Sequence, residues 1–363
     1  MSYTTQKLKD ISIIRTGKLD SNAAVENGIY PFFTCDPQTL KINTWAYDTE
    51  AVLLAGNNAS GNYTAKYYRG KFNAYQRTYI IETADSEVLS VRFLCYAINQ
   101  QLRLLKTMSS GSTTKFLTIR MLNNLDIPCP EIEVQERIVN MLGTIDDLIE
   151  NNQKQIKLLE EAAQRLYKEW FVDLRFPGYE NTPIVDGVPE GWADGCLGDI
   201  AIFKRGKTIT KAQICDGDVP VVAGGLEPAY YHNKANTIAP IITVSGSGAN
   251  AGFTRLYNVD VFASDCSFVD IETTPYLFFV YCYLKANKSS LNSLQKGAAQ
   301  PHVYPKDLNA MKLKVPTEEL LSCFCRLVAP YFERIRTLQR EITISTEARD
   351  RLLPKLMSGE IEV

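Results

Sequence analysis

The feature that most restricts how this chain can fold is an internal repeat whose period is about half of its 363 residues. Residues 8–11 read Leu-Lys-Asp-Ile, and residues 197–200 read Leu-Gly-Asp-Ile, an offset of 189 (197 minus 8). The same offset relates Gly17-Lys18 to Gly206-Lys207, Gly28 to Gly217, and Pro31 to Pro220. Solenoid repeats have periods of a few tens of residues, so this period indicates two copies of a whole domain.

The repeat continues through the later part of each copy. The glycine-bearing segment 55–64 aligns with 245–254. At an offset of 186 (297 minus 111), three further positions correspond: Gly111 and Gly297, Leu122 and Leu308, and Pro130 and Pro316. Two similar domains can present two similar surfaces to a partner that has its own approximate two-fold symmetry. Double-stranded DNA is the obvious partner of that kind.

Composition restricts the class of protein further. The hydrophobic fraction of 45% and the charged fraction of 22% are typical of a folded soluble chain. There is no membrane-length apolar run and no signal-peptide pattern at the N-terminus. Nine scattered cysteines, no CxxC pair and two histidines argue against a zinc cluster and favour reduced thiols in the cytoplasm. The net charge of −2 argues against bulk coating of nucleic acid but leaves room for a local basic face.

The first part of each copy is predicted to be a β-rich α+β domain. Short apolar, partly β-branched segments bounded by Gly, Asn and Ser predict strands at residues 51–54, 79–81, 241–244 and 259–262. One helix is expected in each copy, over residues 91–105 and 276–288. Trp45 and Trp192 are interpreted as packing aromatics.

Each copy ends in a long helix with a seam of positions that alternate in steps of four and three and that are apolar except for Asn152, Ser345 and Arg349. In the first copy these positions are Ile138, Leu142, Ile145, Ile149, Asn152, Ile156, Leu159, Ala163, Leu166 and Trp170. In the second copy, each 186 residues further on, they are Phe324, Val328, Tyr331, Ile335, Leu338, Ile342, Ser345, Arg349, Leu352 and Leu356. A mean spacing of 3.5 residues predicts a narrow seam against another helix, as in a coiled coil. The alternative is that each helix only covers its own domain.

The predicted fold class is therefore α+β, with two duplicated β-rich domains separated by two long antiparallel coiled-coil helices and an approximate two-fold axis. The predicted boundaries are 1–132 for the first domain, 133–176 for the first helix, 177–316 for the second domain and 317–363 for the second helix. At 1.5 Å per residue, each helix forms a rod of roughly 50–60 Å that would hold the domains a fixed distance apart.

Several catalytic motifs are missing from the sequence. Gly206-Lys207-Thr208 resembles the end of a phosphate-binding P-loop, but Ala201 stands where the first glycine is needed. There is no Asn/Asp-Pro-Pro-aromatic tetrapeptide of adenine methyltransferases, no Glu-x-Lys element of a nuclease metal site and no Gly-x-Ser-x-Gly. The chain is therefore predicted to be non-catalytic, with no metal site.

Two polar segments with interspersed cations remain as candidates for DNA contact. Asn, Gln and Arg can read base edges in the major groove, whereas Lys, Ser and backbone amides anchor phosphates. In the first copy the candidates are Asn57, Asn58, Ser60, Asn62, Lys66, Tyr68, Arg69, Lys71, Arg77 and Lys115. In the second copy they are Lys204, Arg205, Lys207, Ser245, Ser247, Asn250, Arg255, Lys296, Gln300 and His302. The alternative interpretation is that these segments are solvated turns of a β-rich domain.

Over essentially its whole length, the chain resembles the DNA-specificity subunits of type I restriction-modification systems. The resemblance rests on the duplicated Leu-x-Asp-Ile and Gly-Lys openings, on the Gly111 and Gly297 loops with the strands that follow, and on the paired long helices. It implies two target recognition domains, each of which reads one half of a bipartite DNA target, with the helices setting the gap between the halves. The second copy departs from the pattern where Gln135-Glu136-Arg137 is replaced by Leu321-Ser322-Cys323.

The resemblance also implies the partners of the chain. Two modification subunits would supply methyl transfer from S-adenosylmethionine, and restriction subunits would supply cleavage and translocation with ATP and Mg. All three cofactors are expected on partner subunits and none on this chain. A non-catalytic scaffold, or a carbohydrate-binding protein with duplicated domains, is the alternative that the sequence leaves open.

Overall fold

The structure is a computed structural model that describes residues 3–58, 61–109, 115–296 and 301–363. The chain forms two compact units. Unit 1 contains Met1–Asn151 and Glu341–Val363, and unit 2 contains Asn152–Arg340. Each unit therefore holds the β-rich domain of one copy together with a part of both long helices.

Unit 1 contains ten strands in its described residues. They are β1 Thr5–Lys7, β2 Ser12–Thr16, β3 Tyr30–Phe33, β4 Leu40–Ile42, β5 Tyr47–Ala55, β6 Asn57–Asn58, β7 Ala65–Ala74, β8 Thr78–Thr83, β9 Lys115–Phe116 and β10 Asp126–Pro128. Six of them form one sheet in the order β2-β8-β5-β7-β3-β4, in which only the β3–β7 pair is parallel. β1 pairs with β10, and β6 with β9.

The helices of unit 1 complete its core. They are α1 Leu8–Ile11, α2 Val91–Met108, α3 Ile119–Asn123 and the first part of α4 Ile132–Phe171. The central strand β5 is buried on both faces, since Val52 and Leu54 join the cluster beneath α2, whereas Ala51 and Leu53 join a cluster with Phe72. This alternation follows from the two-residue period of a strand. The predicted strands at 51–54 and 79–81 and the helix at 91–105 are confirmed.

Unit 2 repeats this plan with shorter strands. They are β11 Ile184–Val185, β12 Val188–Pro189, β13 Ala193–Cys196, β14 Lys204–Arg205, β15 Val219–Val222, β16 Tyr230–His232, β17 Ile241–Ser245, β18 Thr254–Tyr257, β19 Phe262–Ala263, β20 Cys266–Asp270 and β21 Lys312–Val315. The order β14-β20-β17-β18 matches β2-β8-β5-β7 of unit 1, and the strand order β16-β15-β19 forms a separate sheet. Its helices are α5 Leu277–Ala286, α6 Lys288–Ser293, α7 Pro305–Asn309 and the first part of α8 Glu318–Ser358.

Two sequence predictions in unit 2 need correction. The strand predicted at 259–262 is wrong except for Phe262, because the chain leaves the sheet between β18 and β19, where the carboxylate of Asp260 accepts a hydrogen bond from the Ala239 N–H (2.8 Å). The helix predicted at 276–288 ends at Ala286, and a second helix starts at Lys288. The long strand β7 of unit 1 therefore corresponds to two short strands of unit 2, β18 and β19.

The two long helices contact each other in opposite directions within each unit. In unit 2, Trp170 near the end of α4 packs on Phe324 near the start of α8, with ring centroids 5.8 Å apart. In unit 1, Asp146 of α4 pairs with Arg349 of α8 at 3.0 Å. None of the twenty positions of the predicted seam is exposed; eleven are buried and nine are half-buried. The helices themselves, Ile132–Phe171 and Glu318–Ser358, start within one residue of the predicted 133 and 317 and end five residues before the predicted 176 and 363.

Candidate nucleic-acid interface

In unit 1, three separate segments meet where the central strand β5 ends. The N–H of Gly56 donates to the carbonyl oxygen of Arg77 (2.9 Å), and the carbonyl oxygen of Gly56 accepts from the N–H of Leu117 (2.8 Å). β6 then pairs with β9, which places Asn57 opposite Phe116 and Asn58 opposite Lys115. Backbone hydrogen bonds therefore fix this meeting point, so the side chains around it can change without changing the backbone arrangement.

Unit 2 has the same meeting point at the end of β17. The N–H of Gly246 donates to the carbonyl oxygen of Asp265 (3.1 Å), and its own carbonyl oxygen accepts from the N–H of Val303 (3.1 Å). Ser247 forms a bridge with His302, as Asn57 does with Phe116. The hydrogen bonds of Gly246 thus reproduce those of Gly56.

The repeated Gly-Lys pair belongs to the same frame. The N–H of Gly17 donates to Thr78 (3.1 Å), and that of Gly206 donates to Cys266 (2.8 Å). A Cβ at Gly17 would lie 2.2 Å from the carbonyl oxygen of Ala74, and a Cβ at Gly206 would lie 2.2 Å from that of Ser264. No side chain fits at either position. A close approach between two segments of the chain therefore accounts for Gly206, in agreement with the missing P-loop glycine at Ala201.

Four pairs of structurally equivalent positions border this meeting point. We name them the junction residues: Thr16, Asn57, Arg77 and Phe116 in unit 1, and Arg205, Ser247, Asp265 and His302 in unit 2. Their offsets are 189 (205 minus 16), 190 (247 minus 57), 188 (265 minus 77) and 186 (302 minus 116). The side chain differs at all four positions, although the backbone hydrogen bonds around them are shared.

Most of the candidates around the junction of unit 1 lie close together. Asn57, Asn58, Arg77 and Lys115 lie on the paired segments already described, and the Arg77 side chain is exposed. The amide oxygen of Asn62 accepts a hydrogen bond from Nζ of Lys106 at 2.7 Å. Lys106, in the last turn of α2, was absent from the sequence candidates.

The candidates on β7 are split between two faces of the sheet by strand alternation. Lys66 and Tyr68 share one face. Nζ of Lys66 donates to Oγ1 of Thr39 (3.1 Å), and burial lowers the pKa of the Lys66 ammonium. Tyr68 packs on Phe33, with ring centroids 5.3 Å apart, so its role is in the core cluster.

Arg69 and Lys71 lie on the opposite face of β7, and both are exposed. The ammonium of Lys71 stands 4.5 Å from the ring centroid of Trp45, which is 45% exposed. The interpretation of Trp45 as a packing aromatic is therefore wrong, because its ring supports a surface cation. Trp192 does pack, against Phe176 at 5.5 Å.

In unit 2, Asp265 organises the junction. Its carboxylate accepts hydrogen bonds from a guanidinium nitrogen of Arg205 and from the hydroxyl of Ser247. The side chain of Arg205 is 42% exposed. Ser245 is buried, and its hydroxyl donates to the carbonyl oxygen of Gly224 (3.1 Å), which gives it a structural role.

The other candidates of unit 2 lie on nearby segments, and two of the cations are paired. Nζ of Lys296 contacts Oδ1 of Asp307 at 2.7 Å. Arg255 donates to the carbonyl oxygen of Leu226 (2.8 Å), pairs with Glu227 and lies over the ring of Tyr257. The ring of His302 stacks on Tyr304, Asn250 ends a 3-10 turn, and Lys204 and Lys207 are exposed. Ser60 and Gln300, together with the loops at Gly111 and Gly297, lie outside the described residues.

The arrangement suits recognition of DNA. Guanidinium and amide groups at the junctions can bond to base edges, and the exposed lysines can contact phosphates. Within the described ranges, no group of three or more His, Cys, Asp or Glu side chains is placed to hold a metal ion. All nine cysteines are free thiols. In the part of the chain that the structure describes, no helix is both long and apolar enough to span a membrane.

The sequence candidates missed Thr16, Phe116 and Asp265. The repeat offset could have found all three, because each stands opposite a candidate of the other copy: Arg205, His302 and Arg77. A search for cations and amides excludes a carboxylate such as Asp265, whose contribution becomes visible only through its contact with Arg205.

Sequence comparison now identifies the family. The sequence profile of the type I restriction modification DNA specificity domain matches residues 2–161 and again residues 189–320. The chain belongs to this family. The duplication inferred from the offsets is thus a duplication of the family domain, and the predicted resemblance is confirmed.

Individual relatives agree with this assignment. The EcoDI specificity subunit of Escherichia coli is 34% identical over 165 residues, which cover 46% of this chain and 36% of the relative. The MjaIX specificity subunit of Methanocaldococcus jannaschii is 29% identical over 292 residues, covering 71% of this chain and 66% of the relative. The alignments thus span less than two thirds of either relative's length.

One solved structure shares the fold over nearly the whole chain. It is the S subunit of a type I restriction-modification system from M. genitalium, with a TM-score of 0.62, 19% sequence identity, and coverage of 98% of this chain and 96% of that one. The predicted α+β class, with two duplicated β-rich domains and two long helices that pair in opposite directions, is confirmed.

Proposed function

We propose that this chain is the DNA-specificity subunit of a type I restriction-modification complex. Each unit reads one half of a bipartite duplex target, and partner subunits methylate and cleave the DNA. The observation that carries the proposal is the junction. Its backbone hydrogen bonds are the same in both units, whereas all four of its side chains differ. A duplicated reader of two unlike half-sites needs this combination of a common frame and different contacts.

The proposal makes the chain a non-catalytic member of its complex. Methyl transfer with S-adenosylmethionine, and ATP- and Mg-dependent cleavage and translocation, reside on the partners, all in the cytoplasm. The missing methyltransferase, P-loop and nuclease motifs support this division. The purified chain is expected neither to bind S-adenosylmethionine tightly nor to hydrolyse ATP. Stoichiometric binding or turnover by the isolated chain would contradict the division.

Exposed apolar side chains on the long helices support two modification subunits per chain. Met141 of unit 1 and Leu327 of unit 2 are 41% and 47% exposed, and they are equivalent at an offset of 186 (327 minus 141). Leu158 of unit 2 and Ile344 of unit 1 are 64% and 57% exposed and have the same offset (344 minus 158). Each unit therefore presents one such residue from each helix, and paired equivalent patches fit two identical partners.

The stoichiometry can be tested with charged substitutions. Leu327→Asp should leave one modification subunit bound per chain, and Met141→Asp combined with Leu327→Asp should leave none, measured by mass photometry of the reconstituted complex. Ile29→Asp is the control, because Ile29 is 73% exposed but belongs to neither long helix. Two partners bound to the double variant would refute these patches as docking sites.

The main test of the function is methylome sequencing. A host that carries the gene with its modification partner should show one bipartite methylated motif, with two specified halves separated by unspecified bases. Deleting only this gene should abolish methylation of that motif. If methylation persists without the gene, or if the motif is continuous and short, the proposed function is wrong.

The helices are proposed to set the gap between the half-sites. α4 and α8 each pass from one unit to the other, between Asn151 and Asn152 and between Arg340 and Glu341. Four residues inserted at both points add about 6 Å of helix. The methylated motif should then have a longer gap and unchanged halves. An unchanged gap with altered halves would refute the spacer role.

A further inference from the structure

The junction of unit 2 contains an arginine whose orientation is fixed by two neighbours. Arg205 forms an ion pair with the carboxylate of Asp265. A Cβ at Gly246 would lie 2.7 Å from Nη1 of Arg205, so the guanidinium lies directly against the glycine backbone. Nη2 of the guanidinium is therefore bound to the carboxylate and Nη1 lies against the chain, while 42% of the side chain remains exposed.

Asp265 is also held in place. Its carboxylate accepts a second hydrogen bond, from the hydroxyl of Ser247, and its backbone carbonyl oxygen accepts from the N–H of Gly246. The carboxylate is 39% exposed. A carboxylate at the edge of a DNA-contacting surface repels phosphates, so attraction of DNA does not account for Asp265 at this position. The contacts of Asp265 indicate that it supports the arginine.

We infer that Arg205 reads one G·C base pair of the half-site bound by unit 2 and that Asp265 is its positioning residue. The inference rests on the proposed function and adds a specificity determinant to it. An arginine presents a fork of donors that matches O6 and N7 of guanine in the major groove. This match requires a fixed guanidinium plane, which the ion pair with Asp265 and the contact with Gly246 supply. A phosphate contact has no such requirement.

The equivalent positions of unit 1 hold different residues. Arg77 stands where unit 2 has Asp265, and Thr16 stands where unit 2 has Arg205. A single cation is therefore present at each junction, but it comes from a different strand end. The guanidinium groups consequently start from different backbone positions, and the two units select different bases at this point of their half-sites.

The experiment compares methylomes of hosts that express the full chain with its modification partner, as wild type or as a variant. Arg205→Lys keeps the charge but loses the planar fork, and Asp265→Asn keeps the shape but loses the ion pair. Both should relax the same G·C pair, by about 10- to 100-fold in discrimination, while every other position of the motif is retained. Glu272→Gln is the matched control, since it neutralises an exposed carboxylate of unit 2 that lies outside the junction and should leave that pair unchanged.

A second variant exchanges the junction. Thr16→Arg combined with Arg77→Asp recreates the Arg205–Asp265 pair in unit 1, and it should change base preference in the other half-site only. The inference is overturned if Arg205→Lys and Asp265→Asn relax different base pairs, or if Arg205→Ala lowers methylation of all sites uniformly. Absence of a bipartite motif in the wild type would instead overturn the proposed function, so the two failures are distinguishable.

Discussion

The two units join a shorter helix to a long helix by different chemistry: α2 contacts α4 through charged groups in unit 1, whereas α5 contacts α8 through aromatic rings in unit 2. In unit 1, Arg92 of α2 donates to Asp147 of α4 at 3.0 Å. In unit 2, the residue 186 positions beyond Arg92 is Phe278, and the residue 186 positions beyond Asp146 is Phe332. These two rings stack with centroids 4.4 Å apart and an interplanar angle of 4°. A charged network in one unit thus corresponds to an aromatic stack in the other.

The network of unit 1 is continuous across three helices. Asp146 accepts from the hydroxyl of Tyr96 (2.5 Å) and from Nη1 of Arg349 (3.0 Å). Burial, followed by the hydrogen bond to Asp146 and its negative charge, raises the pKa of the Tyr96 hydroxyl, which therefore stays protonated as a donor. In unit 2, Tyr281 packs edge-on against Phe332 at 5.7 Å, and Ala163 stands where unit 1 has Arg349.

A second equivalent position shows the same contrast. Gln135 is fully buried; its amide oxygen accepts from the Ser90 N–H (2.9 Å), and its amide nitrogen donates to Val88 and Pro130 (2.8 Å each). Its equivalent in unit 2 is Leu321, which is also buried. The departure seen in the sequence at this point therefore replaces a hydrogen-bonded tie with apolar packing. Duplicated domains retain their backbone frame but need not retain the side chains that hold it.

The largest expected effect comes from the aromatic stack. Phe332→Ala should destabilise unit 2 by about 3–5 kcal/mol, because it leaves a cavity beside Phe278 and Tyr281. The free energy of local opening, measured by hydrogen exchange of unit 2 peptides, checks the prediction. Leu327→Ala, at an exposed position of the same helix, should change it by less than about 0.5 kcal/mol. Equal effects of the two substitutions would show that the stack contributes little.

The second-largest effect tests whether Gln135 of unit 1 and its equivalent Leu321 of unit 2 are interchangeable. Gln135→Leu gives unit 1 the residue of unit 2 and leaves one backbone N–H and two carbonyl groups without their partner. Unfilled buried hydrogen bonds of this kind should cost about 2–4 kcal/mol in total. Amide hydrogen exchange should become faster in unit 1 peptides and stay unchanged in unit 2 peptides. If neither Gln135→Leu nor the reciprocal Leu321→Gln changed the free energy of local opening, the surrounding packing would not distinguish the two units.

The smallest effect is expected at the charged network. Asp146→Ala should destabilise unit 1 by about 1–2 kcal/mol, since its side chain and that of Arg349 are each 30% exposed and solvent screens the pair. Raising the salt concentration should reduce this difference, whereas the effect of Phe332→Ala should not decrease. Glu136→Ala, on the exposed face of α4, serves as the control. Salt independence of the Asp146 effect would rule out an electrostatic contribution.

The sequence predicted the parts of the fold that periodicity and offsets determine. Heptad steps placed the seam of both long helices, and the repeat placed equivalent glycines whose close backbone contacts forbid a side chain. The strand predicted at 259–262 failed because an apolar run does not reveal whether a neighbouring strand remains in pairing reach. Helix pairing in opposite directions was predictable, whereas the division of both helices between two units was not.

The candidate interface was less accessible to sequence reasoning. Composition selected cations and amides, but it could not show that Tyr68 packs in the core, that Ser245 is buried or that Lys66 and Arg69 lie on opposite faces of one strand. Contacts that decide a residue's role, such as that of Asp265 with Arg205, join segments 60 residues apart. Such contacts follow from strand order, which a single sequence does not specify.

The central claim is that each unit reads its own half of the target. The direct measurement is the methylome of two triple variants, Arg69→Ala with Arg77→Ala and Lys115→Ala in unit 1, and Lys204→Ala with Arg205→Ala and Lys207→Ala in unit 2. Each set removes cations from a single unit. The account predicts that the first set relaxes one half of the motif and leaves the other unchanged, and that the second set does the reverse. If both sets relax the same half, or if each relaxes both halves equally, the assignment of one unit to each half is contradicted.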